Sequence, residues 1–356
     1  MERPIVLLVH GMGTFSPGDV TKEFSKGVDE AAQYLGLDNF HIANEVDIRE
    51  YNYSQKLDKI RKDAANYQGN ISQYLDFLSA GTLGKITAKL SGLESKFSGN
   101  EFLYTHWLDV AYYGLTYHNE EIRLEWAEEL SKLIKECHTK DRKLHVVGHS
   151  LGTAVVHDAL AKLYDLNVGL GDPRHLSAAS ERFESLWLIA NVSRLLFILT
   201  RFTDPTTSIV HDSNPEMAGC ANYFYNVGNK FDPFLFVKHY DREIEHGRHI
   251  TFEEIRELKN SDPKVNPHDL TEYLACPLVT KYFLFRTLGK TFDQVTTDNA
   301  LTAYKATTIQ GQLKQTYENI ITFRDELGDI HSDKLDTVVK AFDAVEKAIK
   351  ELGKLA

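Results

Sequence analysis

Leu144-His145-Val146-Val147-Gly148-His149-Ser150-Leu151-Gly152 runs directly into Thr153-Ala154-Val155-Val156. The first part reads as a short apolar, β-branched strand, and the last part as the start of an apolar helix. Between them lies Gly-x-Ser-x-Gly, which turns a strand into a helix so sharply that the serine is held in a strained backbone conformation. A Cβ at Gly148 or Gly152 is expected to collide with the neighbouring strand or helix, so glycine is required at both. The turn is expected to expose the Ser150 hydroxyl at a helix N-terminus, where the dipole favours developing negative charge.

A second element belongs beside the first. The chain opens Pro4-Ile5-Val6-Leu7-Leu8-Val9-His10-Gly11-Met12-Gly13. A continuous apolar run ended by glycines fits a buried parallel strand. The His-Gly-x-Gly that follows fits a loop whose backbone N–H groups hold an oxyanion; each such donor is worth about 2.7–4 kcal/mol in comparable sites. We assign the two donors to Met12 and Leu151. A phosphate loop is the alternative, but Ser16 stands where G-x-G-x-x-G needs its third glycine, and no G-K-[ST] follows.

With these two motifs the chain resembles the α/β-hydrolase superfamily, specifically the lipase- and esterase-like serine hydrolases with His-Gly-x-Gly and Gly-His-Ser-Leu-Gly. The resemblance covers roughly residues 1–290. It implies an α/β-hydrolase fold, a mostly parallel central sheet flanked by helices. It also implies the chain order Ser, then Asp or Glu, then His. The acid belongs just after a strand downstream of Ser150. Ala221–Asn229 reads as that strand, and Lys230-Phe231-Asp232-Pro233 follows it. Asp232 is therefore the expected acid. Asp204, before Pro205, and Asp212 are rivals, and an ordinary Asx turn is the bland reading of any Asp-Pro pair.

His268 is the expected base. Asn266-Pro267-His268-Asp269-Leu270 reads as a loop that delivers a histidine immediately before a helix. The chain holds 15 histidines, so rivals are easy to find. His239, His246 and His249 also follow Asp232, but they fall in the charged segment Lys238–Lys259, which reads as solvated surface. By resemblance His10 and His149 support loop geometry and do not transfer protons. Gly11, Gly13, Gly148 and Gly152 complete the supporting set.

Bulk properties narrow the class. The chain has 356 residues, 42% hydrophobic and 26% charged, which are ordinary globular values. A formal charge of −11 argues against nucleic-acid binding, which needs a basic footprint. Cys137, Cys220 and Cys276 are sparse and lack metal-type spacing, so they read as reduced buried thiols. Neither a signal peptide nor a membrane span is visible: Leu186–Thr200 is too short and carries Asn191 and Arg194. A cytoplasmic protein is the simplest expectation. No Cys/His cluster or H-E-x-x-H calls for a metal, and the chemistry expected needs no cofactor.

The rest of the chain divides as follows. A hydrolase domain is expected over 1–295, with a helix near Val20–Leu35, a strand near Val46–Tyr53, a helix over Glu120–Cys137 and a strand at Ser185–Ile189. A helical insertion over 54–103 is a candidate lid. Its second half is locally basic at Lys85, Lys89 and Lys96, with Ile86, Leu90 and Leu93 at helical spacing, so peripheral lipid contact is open to it. The apolar run Val192–Phe202 lines the acyl pocket or packs in the core. An extension over 296–356 reads as a helical hairpin of Tyr304–Leu327 and a second helix capped by Ser332, bearing Leu335, Val338, Phe342, Val345, Ile349 and Leu352. It docks on its own domain, covers the site, or makes a homodimer contact.

The expected activity is hydrolysis of a lipid or small-molecule carboxylester. A thioesterase, an amidase and an acyltransferase use the same triad. A non-catalytic binding or scaffold protein using the hairpin is the alternative of another class.

Overall fold

The computed structural model describes residues 2–13, 15–58, 118–164, 175–200, 203–210, 219–236, 240–256 and 267–308. Most of the expected insertion and most of the expected hairpin, including the whole second helix, lie outside these residues.

The described chain alternates strand and helix: β1 (Ile5–Val9), α1 (Asp19–Tyr34), α2 (Ile42–Glu45), β2 (Asp47–Tyr51), α3 (His118–Thr139), β3 (Leu144–His149), α4 (Leu151–Tyr164), β4 (Phe183–Ile189), α5 (Ser193–Thr200), β5 (Ala221–Asn229), α6 (Pro233–Phe236), β6 (Gly247–Phe252), α7 (Leu270–Ala275), α8 (Pro277–Leu288) and α9 (Gln294–Lys305). The six strands form one sheet in the order β2-β1-β3-β4-β5-β6, and every neighbouring pair is parallel. All six carboxyl ends therefore lie along one edge, and strand order reverses between β1 and β3. Open α/β sheets place their ligand sites at that edge, near such a reversal.

Burial explains why the central strands read as unbroken apolar runs. Ile5, Leu7 and Val9 of β1 join a core on one face, with Trp126 of α3 and Leu160 of α4. Val6 and Leu8 join a core on the other, with Phe24 of α1, Trp187 of β4 and Phe283 of α8. With helices covering both faces, a strand has no polar side to show. Each fully buried aliphatic side chain of this kind contributes about 1.5–3 kcal/mol by leaving water. Trp187 lies flat on Tyr225, with ring centroids 3.8 Å apart.

Local signals close the helices that carry the site. Asp269 caps α7 by accepting from Thr271 N. Pro277 opens α8, and Gly289 ends it in the left-handed region, φ 69°. Asp293 caps α9 through Thr296 N.

Two expectations change here, and one open alternative is narrowed. Lys238–Lys259, read as solvated surface, contains β6, which pairs with β5. Only Ile250 and Phe252 of β6 are buried, while Arg248 and His249 face solvent as edge-strand residues do, so composition hides the strand. Tyr304, expected to open a helix running to Leu327, falls in the last turn of α9, which ends at Lys305, after which Thr308 bridges to Arg256; 309–327 lie outside the described residues. Tyr304 and Ala300 are buried in the second core, so α9 packs against the sheet layer. In the run Val192–Phe202, α5 forms, and its Leu195 and Leu196 are buried in the first core.

The three cysteines are buried and unbridged. Burial pushes the Cys276 thiol up to about 12 and that of Cys137 up to about 11, so both remain protonated and unreactive. Among the described residues no helix is long and apolar enough to cross a membrane.

Candidate active site

Ser150 stands between β3 and α4 with φ 53°, an outlier for a residue with a side chain. Backbone bonds over-determine that conformation. Ser150 N donates to Ile189 O at 3.0 Å, and the Ser150 carbonyl accepts from Thr153 N at 2.9 Å and from Thr153 Oγ1 at 2.6 Å. Close approach accounts for the glycines. A Cβ on Gly152 would fall 2.4 Å from the carbonyl oxygens of both Val9 and His10, and one on Gly148 would fall 3.0 Å from Gly152 O.

The loop after β1 lies across this turn. A Cβ on Gly11 would meet Ser150 Cβ at 2.8 Å, which puts the loop's backbone directly against the serine. Met12 is buried and Gly13 has φ 108°. Leu151 is the first residue of α4, so its N–H has no acceptor one turn earlier. The loop is held from the other side by the chain leaving β2. Tyr53 N donates to His10 Nε2 at 3.0 Å, Tyr53 Oη donates to His10 O at 2.8 Å, and the two rings stack at 4.0 Å. His10 Nδ1 donates to Gly11 O at 2.7 Å. Burial lowers the His10 pKa to about 4, so the ring is neutral and keeps this donor–acceptor pattern near pH 7.

The other two named residues arrive from separate elements. His268 precedes α7, and its Nε2 lies 2.6 Å from Ser150 Oγ. Its Nδ1 lies 2.7 Å from Oδ2 of Asp232, between β5 and α6. Asp232 is fully buried, and its Oδ1 accepts from Phe234 N at 3.0 Å. The Phe234 ring packs on His268 at 4.4 Å. His149 Nε2 donates to His268 O at 2.8 Å, so the residue next to the serine steadies the loop that carries the histidine. Three residues far apart in sequence thus form a continuous Ser–His–Asp chain of hydrogen bonds.

The exposed hydroxyl expected at the turn is not found: Ser150 is 1% exposed.

The rivals lie elsewhere. Asp204 accepts from Thr206 N at 2.9 Å and from Thr206 Oγ1 at 2.8 Å, an Asx turn. His249, on β6, bonds Asn226 at 3.2 Å and Arg242 O at 2.8 Å. The backbone carbonyl of His246 accepts from Phe224 N at the β5–β6 edge. Asp212 and His239 lie outside the described residues. Among the described residues, no group of three or more His, Cys, Asp or Glu side chains could hold a metal ion.

Two supporting side chains escaped the sequence reading. Tyr273 Oη donates to Asp232 Oδ2 at 2.7 Å. Arg256 grips Glu272 of α7 with Nε at 2.9 Å and Nη2 at 2.7 Å, and also pairs with Glu30 of α1. Neither lies near its partner in sequence, so local pattern offered no signal beyond the polar residues themselves. No family model, curated protein or solved structure matches the chain.

Proposed function

We propose that this chain is a serine hydrolase of the α/β-hydrolase type that cleaves a carboxylester of lipid or small-molecule class. One observation carries the reading: Ser150 Oγ, at a φ 53° turn, is 2.6 Å from His268 Nε2, whose Nδ1 is 2.7 Å from Asp232 Oδ2. Strand order supports it, because Ser150, Asp232 and His268 follow β3, β5 and β6 along one sheet edge.

In this reading Ser150 Oγ attacks the acyl carbon while His268 Nε2 takes the hydroxyl proton. Asp232 holds the Nδ1–H tautomer and stabilises the imidazolium. The N–H groups of Met12 and Leu151 hold the carbonyl oxygen as it becomes an oxyanion. His268 then gives its proton to the departing alcohol, leaving an acyl-serine. Water, deprotonated by His268, attacks the acyl carbon; the bond to Ser150 Oγ breaks, His268 returns the proton to Oγ, and the acid is released. Because Ser150 and His268 are covered, substrate entry requires a local opening.

Hydrolysis of p-nitrophenyl esters from acetyl to palmitoyl tests the reading, with fluorophosphonate labelling beside it. Wild type is expected to turn over one part of the series and to label at Ser150. Ser150→Ala is expected to lose about 10⁴-fold or more in kcat while remaining folded. Absence of both labelling and turnover in the wild type would return the chain to the non-catalytic class. Full activity in Ser150→Ala would remove the serine from the chemistry. The best chain length separates an esterase from a lipase.

A further inference from the structure

Tyr273 is fully buried on α7, one helical turn beyond His268. Its hydroxyl donates to Asp232 Oδ2 at 2.7 Å, the same oxygen that His268 Nδ1 approaches at 2.7 Å. The direction of the phenol proton follows from a third bond. Asn229 N donates to Tyr273 Oη at 3.1 Å, which occupies a lone pair and leaves the O–H for the carboxylate. The ring has no room to swing away, since Phe252 packs edge-on at 5.4 Å and the His149 ring lies 6.4 Å off. Burial, then the charge of Asp232, pushes the Tyr273 phenol well above its ordinary value, so it stays a donor across the working range.

We infer that Tyr273 is a positioning residue of the triad, one that sets how strongly Asp232 holds the imidazolium of His268. The inference rests on the Ser150–His268–Asp232 reading. An O–H donor on Oδ2 draws electron density from the oxygen that faces His268. With the donor present, that oxygen is a weaker acceptor and the carboxylate cannot rotate. Without it, Oδ2 becomes more basic and the imidazolium is better stabilised, so His268 holds its proton to higher pH. The base is then protonated over part of the working range, and the orientation of the ring is less well defined.

Tyr273→Phe keeps the ring and removes only the hydroxyl. The expected result is a fall in kcat of about threefold to tenfold on the acidic side of the profile, the loss of unprotonated base that a limb moved up by about 0.5–1 pH unit produces. KM should not change, because Tyr273 touches no substrate. The acidic limb of the kcat/KM profile should move up by about 0.5–1 pH unit. NMR titration of labelled histidine, with His268 assigned by His268→Gln, should show the same upward movement without any substrate. Incorporation of 3-fluorotyrosine at 273, a stronger donor, should move it down. Unchanged kcat and an unchanged limb, beside a lowered melting temperature, would reduce Tyr273 to packing and overturn the inference while leaving the triad intact. Failure of wild type to label with fluorophosphonate would overturn the triad reading, and the inference with it.

Discussion

The two halves of the candidate site differ in what limits them. The serine half, at the ends of β1 and β3, adds steric fit to its hydrogen bonds: a Cβ at Gly152 would lie 2.4 Å from two backbone carbonyl oxygens, and one at Gly11 would lie 2.8 Å from Ser150 Cβ. The half that holds His268 and Asp232, at the ends of β5 and β6, depends on polar contacts. Asp232 is fixed by Phe234 N and Tyr273, α7 is gripped by Arg256, and Asn229 bonds Tyr273 Oη through its own N–H. Steric fit has no gradation, since an added methyl either fits or shifts the backbone. Polar contacts can be weakened singly and respond to pH. The serine half should therefore fail abruptly and the half that holds His268 and Asp232 by degrees.

Gly152→Ala is the hardest blow to this contrast. Its Cβ would lie 2.4 Å from two backbone carbonyl oxygens, neither on a flexible side chain. The expected loss is about 3–5 kcal/mol, a large share of the stability of an ordinary domain. Chemical denaturation of the purified variant measures it, and a loss under 1 kcal/mol would show that the turn can relax.

Arg256→Met probes the other half. It leaves Glu272 and Glu30 without their shared cation, with side chains 15% and 32% exposed. Breaking a fully buried pair costs about 3–5 kcal/mol, and partial exposure brings the expectation here to about 2–3 kcal/mol. The folded protein should survive with a lower midpoint. Adding Glu272→Gln should recover part of the loss, since one stranded charge is then gone; a double variant no more stable than the single would argue against charge as the cause.

Glu23→Gln should give the smallest effect and the most distinctive one. Burial, then the nearby Asp269 and Asp19, raises the Glu23 pKa from 4.5 to about 7. The folded state thus binds the proton more tightly than the unfolded state. Stability from this group is complete below about 4.5 and is lost as pH rises through about 7. Glu23→Gln should match wild type near pH 4.5 and exceed it by about 1–2 kcal/mol at pH 8, a figure discounted for partial exposure. Parallel stability curves for the two proteins would sink the idea.

The same contrast explains what could be read from the chain. The serine half is written locally: an apolar run, glycines at set spacing and a helix all fall within Leu144–Val156, and β1 with its loop fits as compactly. The structure brings Asp232 and His268 to Ser150, and each had a local marker, a strand end before proline and a loop before a helix. Tyr273 and Arg256 had none, because their partners lie on other elements. β6 was illegible for another reason. At the sheet edge Arg248, His249 and Thr251 are exposed and only Ile250 and Phe252 are buried, so the segment looked like surface. The end of α9 was missed because Tyr304 reads equally well as the opening of the next apolar helix and as the close of this one.

Trp126 and Trp187 are both fully buried, one in each of the two cores separated by the sheet. The chain therefore carries an optical probe on each side. Trp107 is its third tryptophan. With Trp107 replaced by Phe, and then either Trp126 or Trp187 replaced as well, the two single-tryptophan proteins would report the two layers separately, each emission moving to the red as its layer takes up water. If the two colours change at one denaturant concentration, the sheet welds both layers into a single cooperative unit. If they part, the layer bearing α7 and the layer bearing α4 can be ranked by the order in which they let go.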